Sequence, residues 1–189
     1  MPMPALRPIT TIDLLQALPE DGQCHELLDG VHAVTPSPSY SHQDLVGTLF
    51  FALRRAVEGR ADLKVMTSPA DIILGSRTLV QPDLFVLQID PARPPAGWHE
   101  IGIPLLAIEV LSPSTAARDR GTKRRIYQAA GVGEYWVVDP DARIVERWTP
   151  VDHRPEILDD TLIWRQDGNL MFELPLASLF GPDTSSDGE

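Results

Sequence analysis

Residues Leu105-Leu106-Ala107-Ile108-Glu109-Val110-Leu111 are apolar at every position but one. A strand with one wet face alternates polar and apolar residues. A run apolar on both faces belongs in the middle of a sheet that is covered on both sides. This run therefore calls for layers of structure above and below a central sheet. The chain has 189 residues, 43% of them hydrophobic, which is enough material to build those layers.

The flanking segments supply candidates. Thr11 caps a short predicted helix over 12–18, which the turn Pro19-Glu20-Asp21-Gly22 stops. Glu26-Leu27-Leu28, Asp29-Gly30 and Val31 to Thr35 read as a hairpin with a two-residue turn. Ser39 or Ser41 caps the strongest helix, in which Leu45, Leu49, Leu53 and Val57 keep a helical period up to Gly59. Strands are predicted over 63–67, 70–74 and 83–87, and a second helix over 118–130, ended by Gly131. Further strands follow at 135–138, 144–148, 156–158, 162–164 and 171–173, and a short helix at 176–180. Strands interrupted by helices predict a mixed α/β (α+β) domain over 11–180. Residues 1–10 read as an N-terminal tail and 181–189 as a flexible acidic one.

Several classes of protein are disfavoured. Cys24 is the only cysteine, so no internal disulfide and no multi-cysteine zinc site can form. No run approaches the roughly 18 apolar residues of a membrane span, and Met1 to Pro8 lack the apolar core of a secretory signal. The expectation is a soluble, cytoplasmic protein. The formal charge of −11 argues against gripping nucleic acid by bulk positive potential. Fourteen of the sixteen bases are Arg; only Lys64 and Lys123 are lysines, which singles them out for chemistry Arg does not provide.

Glu109 is the charged residue in the central run. A buried carboxylate is costly unless paired or bound to a metal, and a structural pair would satisfy it as well as a metal would. Asp83 follows Pro82 at the start of another apolar run. Adjacent strands could bring Asp83 and Glu109 together at one sheet end, and converging carboxylates suit Mg²⁺ or Mn²⁺. Lys123 sits in Arg118-Asp119-Arg120-Gly121-Thr122-Lys123-Arg124-Arg125, where five bases accompany one acid. Such a cluster, Arg120 and Arg124 included, reads either as a solvated helix face or as a holder of a phosphate-bearing substrate. Tyr127, four residues after Lys123, shares its helix face. Glu26 on the first hairpin and His42 at the start of the long helix complete the candidates, with solvent exposure the ordinary fate of both types.

Six words occur in order: Glu26-Leu27-Leu28-Asp29-Gly30, Ser41-His42-Gln43, Gln81-Pro82-Asp83, Ile108 to Thr115, Asp119 to Lys123 with Tyr127, and Gly131 to Pro140. Together they resemble the Uma-type restriction endonuclease family of the PD-(D/E)XK superfamily, over residues 10–180. The resemblance implies a restriction-endonuclease-like fold, a mixed central sheet flanked by helices. It implies a metal-dependent endonuclease hydrolysing phosphodiester bonds in DNA, with Mg²⁺ or Mn²⁺ on Asp83 and Glu109. Lys123 would orient water or stabilise developing charge, and Glu26 would be an additional acidic site residue. His42, Arg120, Arg124 and Tyr127 would contact substrate. Position 111, where the superfamily motif puts its lysine, is Leu; Lys123 would deliver the ammonium from the next helix instead. Gly133 stands where that family often has Pro. By analogy the protein would be a homodimer, with the apolar residues after Trp148 as an interface. The competing expectations are a catalytically silent nuclease-fold module that binds or regulates a partner, and a hydrolase of smaller phosphodiesters.

Overall fold

The structure is a computed structural model and describes residues 8–181, so most of both expected tails lies outside the described residues. In chain order, helix α1 (Ile12–Gln16) leads into strands β1 (Cys24–Leu28) and β2 (Val31–Thr35), then helix α2 (Tyr40–Ala56). Strands β3 (Leu63–Thr67), β4 (Ile72–Gly75), β5 (Thr78–Val80) and β6 (Leu84–Gln88) follow, and a 3₁₀ turn at Trp98–Glu100 precedes β7 (Leu106–Val110). One unbroken helical segment comes next: α3 (Ala116–Arg118), a π turn (Asp119–Lys123) and α4 (Arg124–Ala130). The chain closes with β8 (Glu134–Asp139), β9 (Ile144–Trp148), β10 (Glu156–Leu158), β11 (Thr161–Gln166), β12 (Asn169–Pro175) and α5 (Leu176–Phe180).

The central sheet has six strands in the order β10-β9-β8-β7-β6-β3. Only β7 and β8 run parallel, joined by the 116–130 helical segment; the other neighbours are antiparallel. The fold is thus mixed α+β, and β7 takes the interior position that its two apolar faces require. Residues alternate between the faces. Leu106, Ile108 and Val110 join Leu45, Leu49 and Leu53 of α2 and Trp164 and Phe172 of the β11–β12 hairpin in one core. Ala107 and Leu111 join Ile126 and Tyr127 of α4 and Leu28, Ile72 and Val80 of a second sheet, ordered β2-β1-β5-β4. Glu109 falls in phase with the latter group, on the α4 side.

Local chemistry places the ends. Asp29 and Gly30 both have positive φ, 52° and 83°, as the predicted two-residue hairpin turn needs. Asp167-Gly168 repeats this, with φ of 50° and 79°, and joins β11 to β12, which run longer than expected. Ser39 is the cap of α2, accepting from the His42 amide at 3.2 Å. Helix α1 stops at Gln16, short of the predicted Leu18. Strand β4 begins two residues later than predicted, with Asp71 accepting from Gln81 Nε2 instead. Strand β5 is too short to show a period and was not expected. The second helix begins two residues early and contains the π turn.

Gly133 sits where the chain enters β8. A Cβ there would lie 2.6 Å from the Leu105 carbonyl oxygen, a backbone atom that cannot swing aside. Gly47, inside α2, has open space around its missing side chain. Urea denaturation of Gly133→Ala should show a loss of about 1–3 kcal/mol, while Gly47→Ala should gain about 0.5–1 kcal/mol from helix propensity. Equal stability of Gly133→Ala and the parent would contradict the close approach.

Candidate active site

Strand register delivers the first two carboxylates. Leu84 and Ile108 are the last residues paired between β6 and β7. One step further, Asp83 comes opposite Glu109 on the same face. Asp83 Oδ2 ties the junction by accepting from the Val110 amide at 2.8 Å. Glu26 arrives from β1, two residues before Leu28 and on the same face, so it too points to the α4 side. The helical segment provides the fourth group: Asp119, Lys123 and Tyr127, spaced four apart, form one stripe facing these acids. The π turn widens the helix there, with the Arg124 amide reaching the Asp119 carbonyl five residues back. Tyr135 Oη of β8 donates to the same carbonyl at 3.0 Å.

Lys123 is the hub. Its ammonium lies 2.8 Å from Glu109 Oε1, 2.9 Å from Glu26 Oε1 and 3.9 Å from Asp119 Oδ1. All four side chains are buried. Glu109 Oε1 also accepts from Tyr127 Oη at 3.1 Å, and Glu26 Oε1 from the Gln81 amide at 2.8 Å. His42 Nε2 lies 3.1 Å from Asp83 Oδ2. Arg118 donates to Thr35 Oγ1 at 2.6 Å and comes within 3.9 Å of Glu26 Oε2. These groups, Tyr127 excepted, line one cleft of about 610 Å³, to which Ser39, Ser68, Ser112 and Ser114 also contribute. A groove of about 890 Å³ along α2 is larger but holds no comparable cluster of acids.

Burial pushes the Glu109 carboxyl well above its usual range, and Asp83, Asp119 and Glu26 add to this against the opposing Lys123. Burial also raises Asp119. For Lys123 burial works against the charge, but Glu109, Glu26 and Asp119 outweigh it and hold the ammonium protonated. His42 behaves similarly: burial lowers it, and Asp83 more than compensates, so it is raised.

The donor set fits a hard divalent cation. Four carboxylates face two permanent cations, Lys123 and Arg118, which leaves a formal excess of two negative charges in the cleft. Asp83 Oδ1 and Glu109 Oε2 have no hydrogen-bond partner among the described residues, because their sister oxygens take the protein contacts. Glu26 Oε2 and Asp119 Oδ1 are buried without a hydrogen bond. No group of three or more His, Cys, Asp or Glu among the described residues is arranged to hold a metal ion, so the candidate ligands are the pair Asp83 and Glu109. An open, oxygen-only site is what Mg²⁺ or Mn²⁺ uses, since these ions retain water.

The remaining sequence candidates separate. His42 meets a carboxylate of the protein itself, Asp83. Tyr127 is fully buried behind Glu109, so it can act on substrate only through that residue. Arg120 turns away to Asp139 and Glu146. Arg124 lies 4.8 Å over the Trp148 ring and donates to Gln128. The basic run is therefore largely spent on intramolecular pairs. Sequence reasoning passed over Asp119 and Arg118, which do line the cleft. The i, i+4, i+8 spacing of Asp119, Lys123 and Tyr127 was the available signal.

Two outcomes follow. Lys123→Met should cost about 3–5 kcal/mol by leaving buried carboxylates unpaired. Without the ammonium Glu109 and Asp119 have folded-state pKa values raised further above their unfolded ones, and stability held at low pH is lost as pH rises. Urea titrations should therefore show a larger deficit at pH 8 than at pH 5; a deficit independent of pH would contradict the pairing. Cys24 also lines the cleft, and burial pushes its thiol up to about 12. Iodoacetamide at pH 8 should leave it unmodified until the protein is unfolded; rapid labelling of the folded protein would contradict this.

Comparison with known proteins bears on the family and the fold. The family model Uma2, described as "Putative restriction endonuclease", matches residues 12–177. The crystal structure of a putative nuclease of the DUF820 group from Anabaena variabilis superposes with a TM-score of 0.75 at 22% identity, covering 90% of this chain and 97% of that one. At that identity the likeness establishes a shared fold. No protein of curated function matches the sequence. No helix among the described residues is long and apolar enough to cross a membrane. The family model spans most of the chain, and the protein belongs to the Uma2 family, described as "Putative restriction endonuclease".

Proposed function

We propose that the protein is a divalent-metal-dependent endonuclease that hydrolyses phosphodiester bonds in DNA. The observation that carries this is the meeting of Asp83 and Glu109 beside the ammonium of Lys123 in a single cleft. Hydrolysis of a phosphodiester needs an oriented water, relief of the charge growing on the phosphoryl oxygens, and protonation of the departing alkoxide.

Asp83 and Glu109 would hold Mg²⁺ or Mn²⁺ through their free oxygens. The cation would supply Lewis-acid neutralisation of the phosphoryl charge. Each chain residue then has a defined task. Lys123 spends two N–H groups on Glu26 and Glu109 and lines the cleft with the rest of its ammonium. That charge would hold the attacking water or an equatorial phosphoryl oxygen, stabilising charge where it develops. Glu26 fixes Lys123 in place, and Tyr127 fixes Glu109. His42 holds Asp83 Oδ2 and so turns Oδ1 outward. Water forms the new bond to phosphorus and gives up a proton to solvent in the open cleft as the bond to the leaving oxygen breaks; the leaving oxygen takes a proton from the same solvent.

Purified protein should nick supercoiled plasmid in the presence of Mn²⁺ or Mg²⁺ and stop when EDTA is added. Asp83→Asn and Glu109→Gln should each reduce the rate by about 10²-fold or more, with Mn²⁺ binding by calorimetry weakened in parallel. Equal residual nicking by parent and variants would assign the activity to contamination. Retained Mn²⁺ binding with no cleavage of any nucleic acid would replace the enzyme with a silent binding module.

A further inference from the structure

The cleft cannot hold much of a nucleic acid by charge. Its only permanent cations among the described residues, Lys123 and Arg118, are already engaged with carboxylates. Cations free to meet phosphates lie elsewhere, at the far end of α2. Arg54, Arg55, Arg60 and Lys64 line a depression of about 460 Å³ there, together with Phe51. Of these bases only Arg60 has an acidic partner among the described residues, Asp62. Phe51 is 64% exposed, and the Arg55 guanidinium stands 5.8 Å from its ring centre. Cations in a last helical turn complement the helix dipole, which accounts for Arg54 and Arg55 but not for an exposed aromatic ring beside them.

A groove connects this end to the cleft. It runs along α2 past Gln43, Gly47, Thr48 and Phe51 to Arg55, with Leu170 to Leu174 of β12 as its other wall. Gln43 lines both the cleft and the groove; Phe51 and Arg55 line both the groove and the basic depression. Gly47 presents no side chain, so the floor stays open midway. Between Gln43 and Arg55 the helix rises about 18 Å, a span of a few nucleotides. Asp44 stands at the cleft end, Glu173 on the β12 wall and Glu58 in the depression itself, so the phosphate-binding charge is confined to the four bases of the far end.

Resting on the nuclease reading above, we propose that this groove is a track for single-stranded nucleic acid. A base stacks on Phe51, phosphates meet Arg54, Arg55 and Lys64, and the strand leads past Gln43 into the cleft. Charge complementarity names the partner class. An exposed ring flanked by unpaired cations is the combination that binds single strands without reading sequence. A duplex would bury its bases away from Phe51.

The test measures binding without turnover. Fluorescence anisotropy of a labelled thymidine decamer is followed in EDTA across a salt series, for the parent, Phe51→Ala and the double variant Arg54→Gln/Arg55→Gln. The Kd should rise about tenfold in each variant, and the double variant should lose about 1.4 from the slope of log K against log salt, at about 0.7 per phosphate contact. A duplex decamer should bind the parent more weakly. Unchanged Kd and slope in the variants, or tighter duplex binding, would overturn the track. So would a concentration-dependent dimer in sedimentation that Phe51→Ala dissolves, since the groove would then belong to a second copy. Hydrolysis of bis(p-nitrophenyl) phosphate with Mn²⁺ probes the cleft alone and should be unchanged in these variants. Its absence in the parent would refute the nuclease reading, whatever the decamer does.

Discussion

The ammonium of Lys123 is the constraint around which the rest is arranged. Glu26 and Glu109 both come within 3 Å of it, and all three side chains are buried. A buried carboxylate without a counter-charge costs several kcal/mol, so β1, β7 and the helical segment cannot shift independently. The surrounding hydrogen bonds extend the same discipline outward: Tyr127 to Glu109, the Gln81 amide to Glu26, the Val110 amide to Asp83. Such pairs seldom raise stability over an apolar core. Here they leave the cleft with a formal excess of negative charge.

Much of this was legible in the sequence, for reasons that differ by element. The run 105–111 announced its interior place because nothing polar interrupts it except Glu109. Asp29-Gly30 announced a hairpin because few dipeptides accept two positive φ values; Asp167-Gly168 carried the same signal, though its flanking strands are less regular. Lys123 stood out by its rarity among arginines. What stayed hidden depends on packing. No period distinguishes a three-residue strand such as β5. A π turn has no compositional mark. Arg120 and Arg124 looked like substrate ligands because charge composition does not reveal that Asp139, Glu146 and Trp148 stand within reach.

The overall charge of −11 is a poor guide to where anions can approach. Acids outnumber bases in the cleft, while the exposed, unpaired cations Arg54 and Arg55 stand in the last turn of α2. Along that one helix, its capped start holds Asp83 through His42 and its other end displays Arg54 and Arg55. The protein thus presents opposite polarities at the two ends of a single rigid rod.

The only parallel pair of the central sheet, β7 with β8, has a consequence for how the molecule assembles. Parallel neighbours need a crossover, and here the crossover is the segment that carries Asp119 and Lys123. Folding that segment onto β7 brings Lys123 to Glu109 locally, from fourteen residues away. Glu26 must come from the far side of the chain, carried by a separate sheet. Until the β1–β2 hairpin docks, the cluster is open to water and its charges stay solvated. The docking brings Glu26 onto Lys123 as both lose water, which penalises half-docked forms and ties a distant hairpin into one cooperative unit with the central sheet.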